Sequence, residues 1–193
     1  MCGRYQFTEE RSDDIAWIIR ELEKKREAET WTLGEIRPGC KAPILLPSPA
    51  GPTPEIYIWG FRTQKSLVIN ARAETAAEKP LFRDGIAAQR CVIPSTGFFE
   101  WDGDKRKYLF TMPDSRALYM AAIFAVRGGI PCYCILTTEA NNSMREVHDR
   151  MPLVLQKEQI EEWMNDPKAT AHYLRMTPPL LEKRSLDDQF SLW

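Results

Sequence analysis

The sequence predicts a single domain over residues 1–193 of α+β class, built mainly of antiparallel strands in a sheet that could curl into a barrel, with helices outside it. Three observations predict it. Five short strand-like runs crowd residues 90–138, separated by turn residues. Helical periodicity is confined to short stretches on either side of that block. No repeat, low-complexity tract or long linker divides the 193 residues.

The elements follow in chain order. Residues Thr8 to Ala28 read as a helix, because Ile15, Ile18, Ile19 and Leu22 recur at i, i+3, i+4 and i+7. Thr8 and Ser12 both suit its N-cap. The following proline- and glycine-rich stretch reads as loops around two strands, Pro43–Leu46 and Ile56–Trp59. Asn70 is expected to open a helix through ARAETAAEK, ended by Pro80, and LFRDGIAA a second one. The period then changes. RCVIP, GFFEW, KYLFTM, ALYMAAIFAV and IPCYCILTT read as strands separated by SerThrGly, AspGlyAsp, ProAspSer and GlyGly turns. A short helix is expected over Glu139 to Val147, a strand over Met151–Leu155, and a helix over Lys157–Asn165 that ends at Asp166-Pro167. The terminal DDQFSLW is expected to pack, because Phe190, Leu192 and Trp193 are costly to leave in water.

Composition narrows the function. Hydrophobic residues make up 44% and charged residues 27%, the ordinary globular balance. No apolar run approaches the roughly 20 residues that cross a bilayer, and the first 30 residues hold no signal-peptide core. A cytoplasmic protein is expected, with no membrane partner. Cys2, Cys40, Cys91, Cys132 and Cys134 are odd in number and sparse, which fits reduced thiols. Net charge is −1, yet residues 62–107 carry nine Lys/Arg against six Asp/Glu, a small basic excess that a solvated face would also explain.

Several residues could carry chemistry. Cys2 follows the initiator methionine, and removal of Met1 would give it a free amine beside its thiol. Such a 1,2-aminothiol condenses with an aldehyde, first to an imine and then to a thiazolidine ring. An inert terminal cysteine is the other reading. In GFFEW, strand alternation puts Phe98 and Glu100 on one face and Phe99 and Trp101 on the other. A carboxyl beside Phe98 could serve as a general acid, or pair with a lysine at a sheet edge. His148, in VHDRMPL, could move a proton or hold a hydroxyl, or be structural. Asn70 could cap a helix or hold a substrate. Arg72, Arg83 and Arg90 could bind phosphates, and Trp59, Phe61 and Trp101 could stack on bases or fill the core. Cys132-x-Cys134 lacks a matching second pair and reads as buried thiols. With no GxGxxG, P-loop or HExxH, neither a cofactor nor a metal is expected.

Taken together, MCGRY at the start, WGF at 59–61, INARAET at 69–75, KPLFR at 79–83, RCVIPSTGFFEW at 90–101 and HDRMP at 148–152 resemble the SOS-response-associated peptidase (SRAP) family over almost the whole chain. The resemblance implies a protein that binds single-stranded DNA carrying an abasic site and captures the ring-opened sugar aldehyde on the mature N-terminal cysteine. It implies Cys2 as nucleophile, Asn70 as its positioner, Glu100 as acid and base, and His148 as a helper at the sugar. It assigns Arg4, Arg72 and Arg150 to phosphates and Trp59 and Trp101 to bases. It also implies DNA-damage-response work and self-removal of Met1, which an ordinary methionine aminopeptidase could equally perform, and a weak lyase activity is a side expectation; a monomer is expected, associated with the nucleoid if the source is bacterial. The chain departs from the family pattern after the first helix: EIRPGCKAPIL carries Glu35 where Asn is common and Gly39 where Thr is common. Tyr5 stands where Phe is common, and GFFEW where GFYEW is common. A thiol peptidase acting on itself or other proteins, and a plain single-strand binder with an inert Cys2, are the competing readings.

Overall fold

The structure is a computed structural model and describes residues 2–8, 12–25 and 30–187. Among these the strands are β1 (Arg4–Phe7), β2 (Gly34–Ile36), β3 (Lys41–Leu46), β4 (Thr53–Trp59), β5 (Phe61–Arg62), β6 (Leu67–Val68), β7 (Asn70–Arg72), β8 (Arg90–Ser95), β9 (Gly97–Trp101), β10 (Lys107–Thr111), β11 (Leu118–Arg127), β12 (Ile130–Glu139), β13 (Arg150–Pro152), β14 (Val154–Leu155) and β15 (Glu182–Ser185). The helices are short: α1 (Asp13–Lys24), α2 (Ala73–Ala76), α3 (Arg83–Ala88), α4 (Ile160–Asn165) and α5 (Thr170–Tyr173).

The strands form a barrel and a sheet packed on it. Pairing runs β12-β4-β3-β8-β11, and β11 pairs back onto β12, so five strands close on themselves. Closure leaves these five without a free edge. It depends on one parallel pairing, β4 on β12, inside an otherwise antiparallel ring. The strand β7 lies parallel on the far half of β12, with Asn70 opposite Ile135. The second sheet has the order β15-β10-β9-β1-β2 and is wholly antiparallel.

Alternation sorts the second sheet into two faces. Register places Gln6 opposite Glu35, Arg4 opposite Phe99, and Trp101 opposite Lys107, so Glu35, Arg37, Arg4, Phe99, Trp101 and Lys107 share the outer face. The other face carries Ile36, Tyr5, Phe98, Phe110 and Glu100 toward the barrel. At that seam the Tyr5 ring lies 5.2 Å from Trp59 and the Tyr5 hydroxyl meets the Tyr133 hydroxyl at 2.7 Å. Trp59 stacks on Tyr133 at 6.3 Å and 5°. The β8–β9 connection needs glycine: Gly97 has φ +153°, and a Cβ there would meet the Phe110 carbonyl oxygen at 2.6 Å.

The structure shortens or replaces several expected elements. The first helix covers Asp13–Lys24 of the expected Thr8 to Ala28, with Ile15, Ile18 and Ile19 buried. Thr8 precedes it and pairs its hydroxyl with that of Thr96 at 3.2 Å, while residues 26–28 lie outside the described residues. Asn70 does not open a helix. It begins β7, and only Ala73–Ala76 is helical, because the chain first pairs with β12. Glu139 to Val147 is a series of turns. There β12 runs on through Glu139, and the Asn141 side chain then folds the chain by accepting from the Ser143 amide at 3.0 Å and donating to the Pro178 and Pro179 carbonyls. The strand expected over Met151–Leu155 breaks at Leu153, where the chain passes from β12 to β11. Strands β1, β2 and β15 had no counterpart in the sequence reading. The expected packing of DDQFSLW falls largely on residues 188–193, outside the described residues. No described helix is long and apolar enough to cross a membrane.

Candidate functional site

Three residues from three different segments meet at the seam between sheet and barrel. Cys2 precedes β1 and is fully buried. Its thiol feels the charge of Glu100, on the neighbouring strand β9. Asn70, from the start of β7, donates its side-chain Nδ2 to the Cys2 carbonyl at 2.8 Å, and so ties the N-terminal segment to the barrel. Asn70 Oδ1 is buried and has no hydrogen-bond partner among the described residues. Glu100 is 6% exposed on the barrel-facing side of β9, the face that alternation with Phe98 predicts.

The electrostatics of this cluster are specific. Burial pushes the Cys2 thiol well above its ordinary value, and the Glu100 carboxylate pushes it further in the same direction. The Cys2 Sγ lies 3.8 Å from the Arg4 carbonyl oxygen, to which a thiol can donate. The sulfur is therefore a protonated thiol at neutral pH. It reacts as a nucleophile only when a neighbouring base takes its proton as the new bond forms.

His148 and Arg150 flank the start of β13. The Arg150 amide donates to His148 Nδ1 at 2.9 Å, so that nitrogen accepts and the neutral ring carries its proton on Nε2. Asp149 Oδ1 also lies 2.8 Å from Nδ1. The amide contact fixes the tautomer, because an amide can only donate and Asp149 is free to turn into solvent. Arg150 forks onto Glu74, Nη1 to Oε1 at 2.7 Å and Nη2 to Oε2 at 2.8 Å, and Nη2 also reaches the Thr137 carbonyl at 2.7 Å. Arg72, Arg145 and Arg150 line one surface cavity of about 480 Å3 with Glu139, Ala140 and Asp149. Arg72 and Arg145 there could meet an oxyanion, whereas the Arg150 fork is taken up by Glu74 and two carboxylates share the lining. Arg145 was not singled out in the sequence, since it fell inside the helix expected over Glu139 to Val147.

The outer face of the second sheet carries Arg4 and Trp101. The Arg4 guanidinium sits 5.3 Å from the Trp101 ring centre, and Lys107 Nζ lies 5.4 Å from the same ring and 4.0 Å from that of Phe99. Glu35 collects the cations around this aromatic pair. It accepts from Arg4 at 2.9 Å, Arg37 at 3.0 Å and Lys107 at 2.8 Å. Burial works to raise the Glu35 pKa, but the bonds and charges of Lys107, Arg37 and Arg4 outweigh it and hold the carboxyl below the ordinary range.

The remaining candidates lie elsewhere. Trp59 is fully buried, stacked on Tyr133 and bonded through Nε1 to the Ile69 carbonyl, so its ring offers no face to a base. Phe61 is buried as well. Arg90 is buried and spends its donors on the Ile86, Ala87, Trp163 and Met164 carbonyls at the ends of α3 and α4. Cys132 and Cys134 are buried, and among the described residues no group of three or more His, Cys, Asp and Glu side chains could hold a metal.

Comparison with known proteins adds three findings. The family model described as SOS response associated peptidase (SRAP) matches residues 1–187. Abasic site processing protein YoaM of Bacillus subtilis is 39% identical over 119 residues, 56% of this chain and 52% of its own, so the chain spans about half the length of that relative. Abasic site processing protein YedK of Escherichia coli is 31% identical over 176 residues, 85% of this chain and 79% of its own. A solved protein structure from Bacteroides thetaiotaomicron superposes with a TM-score of 0.75 over 95% of this chain and 91% of its own at 23% identity, which establishes the shared fold.

Proposed function

The chain belongs to the SOS response associated peptidase (SRAP) family, and on that premise we propose that it processes abasic sites in single-stranded DNA by linking the sugar aldehyde to Cys2. The observation that carries this reading is the meeting of Cys2, Asn70 and Glu100 at one buried seam. Relatives named abasic site processing proteins support the lesion as substrate.

The chemistry runs in two steps. Once Met1 is removed, the Cys2 amine attacks C1′ of the open-chain aldehyde. Glu100 gives a proton to the departing hydroxyl, water leaves, and an imine forms. The Cys2 thiol then adds to the imine carbon. Its proton passes through the Glu100 carboxylate to the imine nitrogen as the sulfur–carbon bond closes the thiazolidine. Burial holds the thiol in its protonated form, which supports an order in which the amine acts first and the sulfur follows with a base beside it. Asn70 holds the Cys2 carbonyl, and its Oδ1, without a partner among the described residues, can take a hydrogen from the amine or the sugar. His148 assists at the sugar, in proton transfer. Arg72 and Arg150 hold backbone phosphates, and Arg4 and Trp101 serve the DNA on the outer face.

Two further reactions belong to the same reading. The thiol with Glu100 can remove Met1 from its own chain. The imine, when ring closure fails, labilises the 3′ phosphate by β-elimination.

The test mixes the protein with a single-stranded oligonucleotide bearing one abasic site and resolves it on a denaturing gel beside Cys2→Ala. A heat-stable shifted band is expected for the parent protein. Cys2→Ala should lose the band and instead nick the strand slowly, since an N-terminal alanine still carries an amine. No band from protein whose mass shows Met1 removed would overturn the proposal.

A further inference from the structure

The outer face of the second sheet presents an unusual arrangement for a surface that meets DNA. Arg4, Arg37 and Lys107 come from three different strands or their ends, and all three point into one carboxylate, Glu35. The cluster is half-sheltered: the Glu35 and Lys107 side chains are each 25% exposed, and Arg37 is 62% exposed. Two of the cations also rest on the rings of Phe99 and Trp101. Donors converging on one anion, beside an aromatic platform, describe a site for one nucleotide: phosphate on the cations, base on the ring.

We propose that Arg4, Arg37 and Lys107 form a subsite for one DNA backbone phosphate, and that Glu35 fills this subsite in the free protein as an internal competitor that the phosphate must displace. The proposal rests on the DNA-binding reading given above and deepens it. Geometry supports it in two ways. The carboxylate uses both oxygens, Oε1 for the two arginines and Oε2 for the lysine, as two phosphate oxygens would. The residues that build the site lie on β1, β9 and β10 or, for Arg37, one residue past the end of β2, so its frame is largely sheet and the Glu35 side chain is the part that needs to move. Glu35 thus lowers affinity for the strand and keeps three cations ordered for the phosphate that replaces it.

The experiment measures binding of an intact single-stranded oligonucleotide, which cannot be captured covalently, by fluorescence anisotropy from about 50 to 200 mM salt. Glu35→Gln should bind about fivefold or more tightly, the gain from removing one like charge about 4 Å from a phosphate even at the dielectric of water. Its log K against log salt should be steeper by about 0.7, one more phosphate neutralised on a single strand. Glu35→Asp, which keeps the charge, should stay near the parent. Adding Arg37→Ala to Glu35→Gln should erase most of the gain. If Glu35 only ties β2 to β10, Glu35→Gln will melt earlier and bind no more tightly, and that result overturns the subsite. If neither parent nor variant binds the oligonucleotide, the DNA-binding reading falls and the subsite with it. Weaker binding by Glu35→Gln with an unchanged melting temperature would also overturn it.

Discussion

Asn70→Ala isolates the role of the side chain that donates from the barrel to the Cys2 carbonyl. Asn70 Nδ2 donates to the Cys2 carbonyl at 2.8 Å, and Cys2 is fully buried. Truncation leaves that carbonyl with no donor from this side, which costs about 1–3 kcal/mol if the segment stays in place. The segment avoids the cost by leaving. A penalty of that size shifts the population away from the productive position by a factor of about 5 to 150, at 1.4 kcal/mol per tenfold. The crosslinking rate should therefore fall by roughly one to two orders of magnitude. Stability should change by no more than about 1–3 kcal/mol, because β7 and its pairing with β12 are backbone features. The assay is a single-turnover time course with protein in excess over an abasic-site oligonucleotide, quenched and resolved on a denaturing gel, beside a thermal melt. Asn70→Asp is the sharper variant. It preserves shape but offers only acceptors to the carbonyl, and it should be at least as slow. A folded Asn70→Ala protein that links at the parent rate would refute the argument.

Other outcomes follow from the same geometry. Glu100→Gln keeps a polar group in the buried position but cannot carry protons, so the linking rate should fall about 10²- to 10⁴-fold with binding to intact DNA unchanged; a rate within a few-fold of the parent would remove Glu100 from the chemistry. The two tryptophans should separate: Trp59→Ala should cost about 3–5 kcal/mol of stability in a denaturant titration, whereas Trp101→Ala should weaken oligonucleotide binding with a much smaller loss. Buried thiols and phenols make stability fall in alkali. Burial above all raises Cys2, Cys91, Cys134, Tyr5 and Tyr133, and a raised folded value means stability that is full below the unfolded value and lost above it. The denaturation midpoint should hold through neutrality and drop from about pH 8.5 upward as thiols ionise in the unfolded chain, by about 1.4 kcal/mol per pH unit for each group. A midpoint unchanged at pH 11 would contradict the burial.

The sequence carried most of the barrel and much of the site, and its failures have physical causes. Strands β8 to β12 were legible because they are long, apolar and bounded by turn residues. The alternation that sends Glu100 inward with Phe98 and Trp101 outward could be read directly from GFFEW. Strands β1 and β2 were not legible, since four and three residues are too few for a period to show. Asn70 looked like a helix cap because a helix-forming stretch follows it; the pairing of β7 with β12 spans residues far apart in sequence and overrides that local preference. Trp59 could not be assigned by residue type alone, as an indole suits a core and a base platform equally. Arg90 likewise reads as a phosphate ligand until α3 and α4 bring their terminal carbonyls to it. Glu35 showed itself in sequence only as a departure from a familiar pattern. Its three cations become visible once register places them on one face.

The central claim is that the sugar carbon is bonded to both the nitrogen and the sulfur of Cys2. Its most direct test is the mass of the N-terminal peptide, taken from purified crosslink after nuclease and protease digestion in the presence of iodoacetamide. The account predicts a peptide beginning at Cys2 that carries the sugar remnant and no alkyl group, because the thiol is closed in the ring. A remnant on any lysine, or a Cys2 that carries the alkyl group and no sugar, would contradict it.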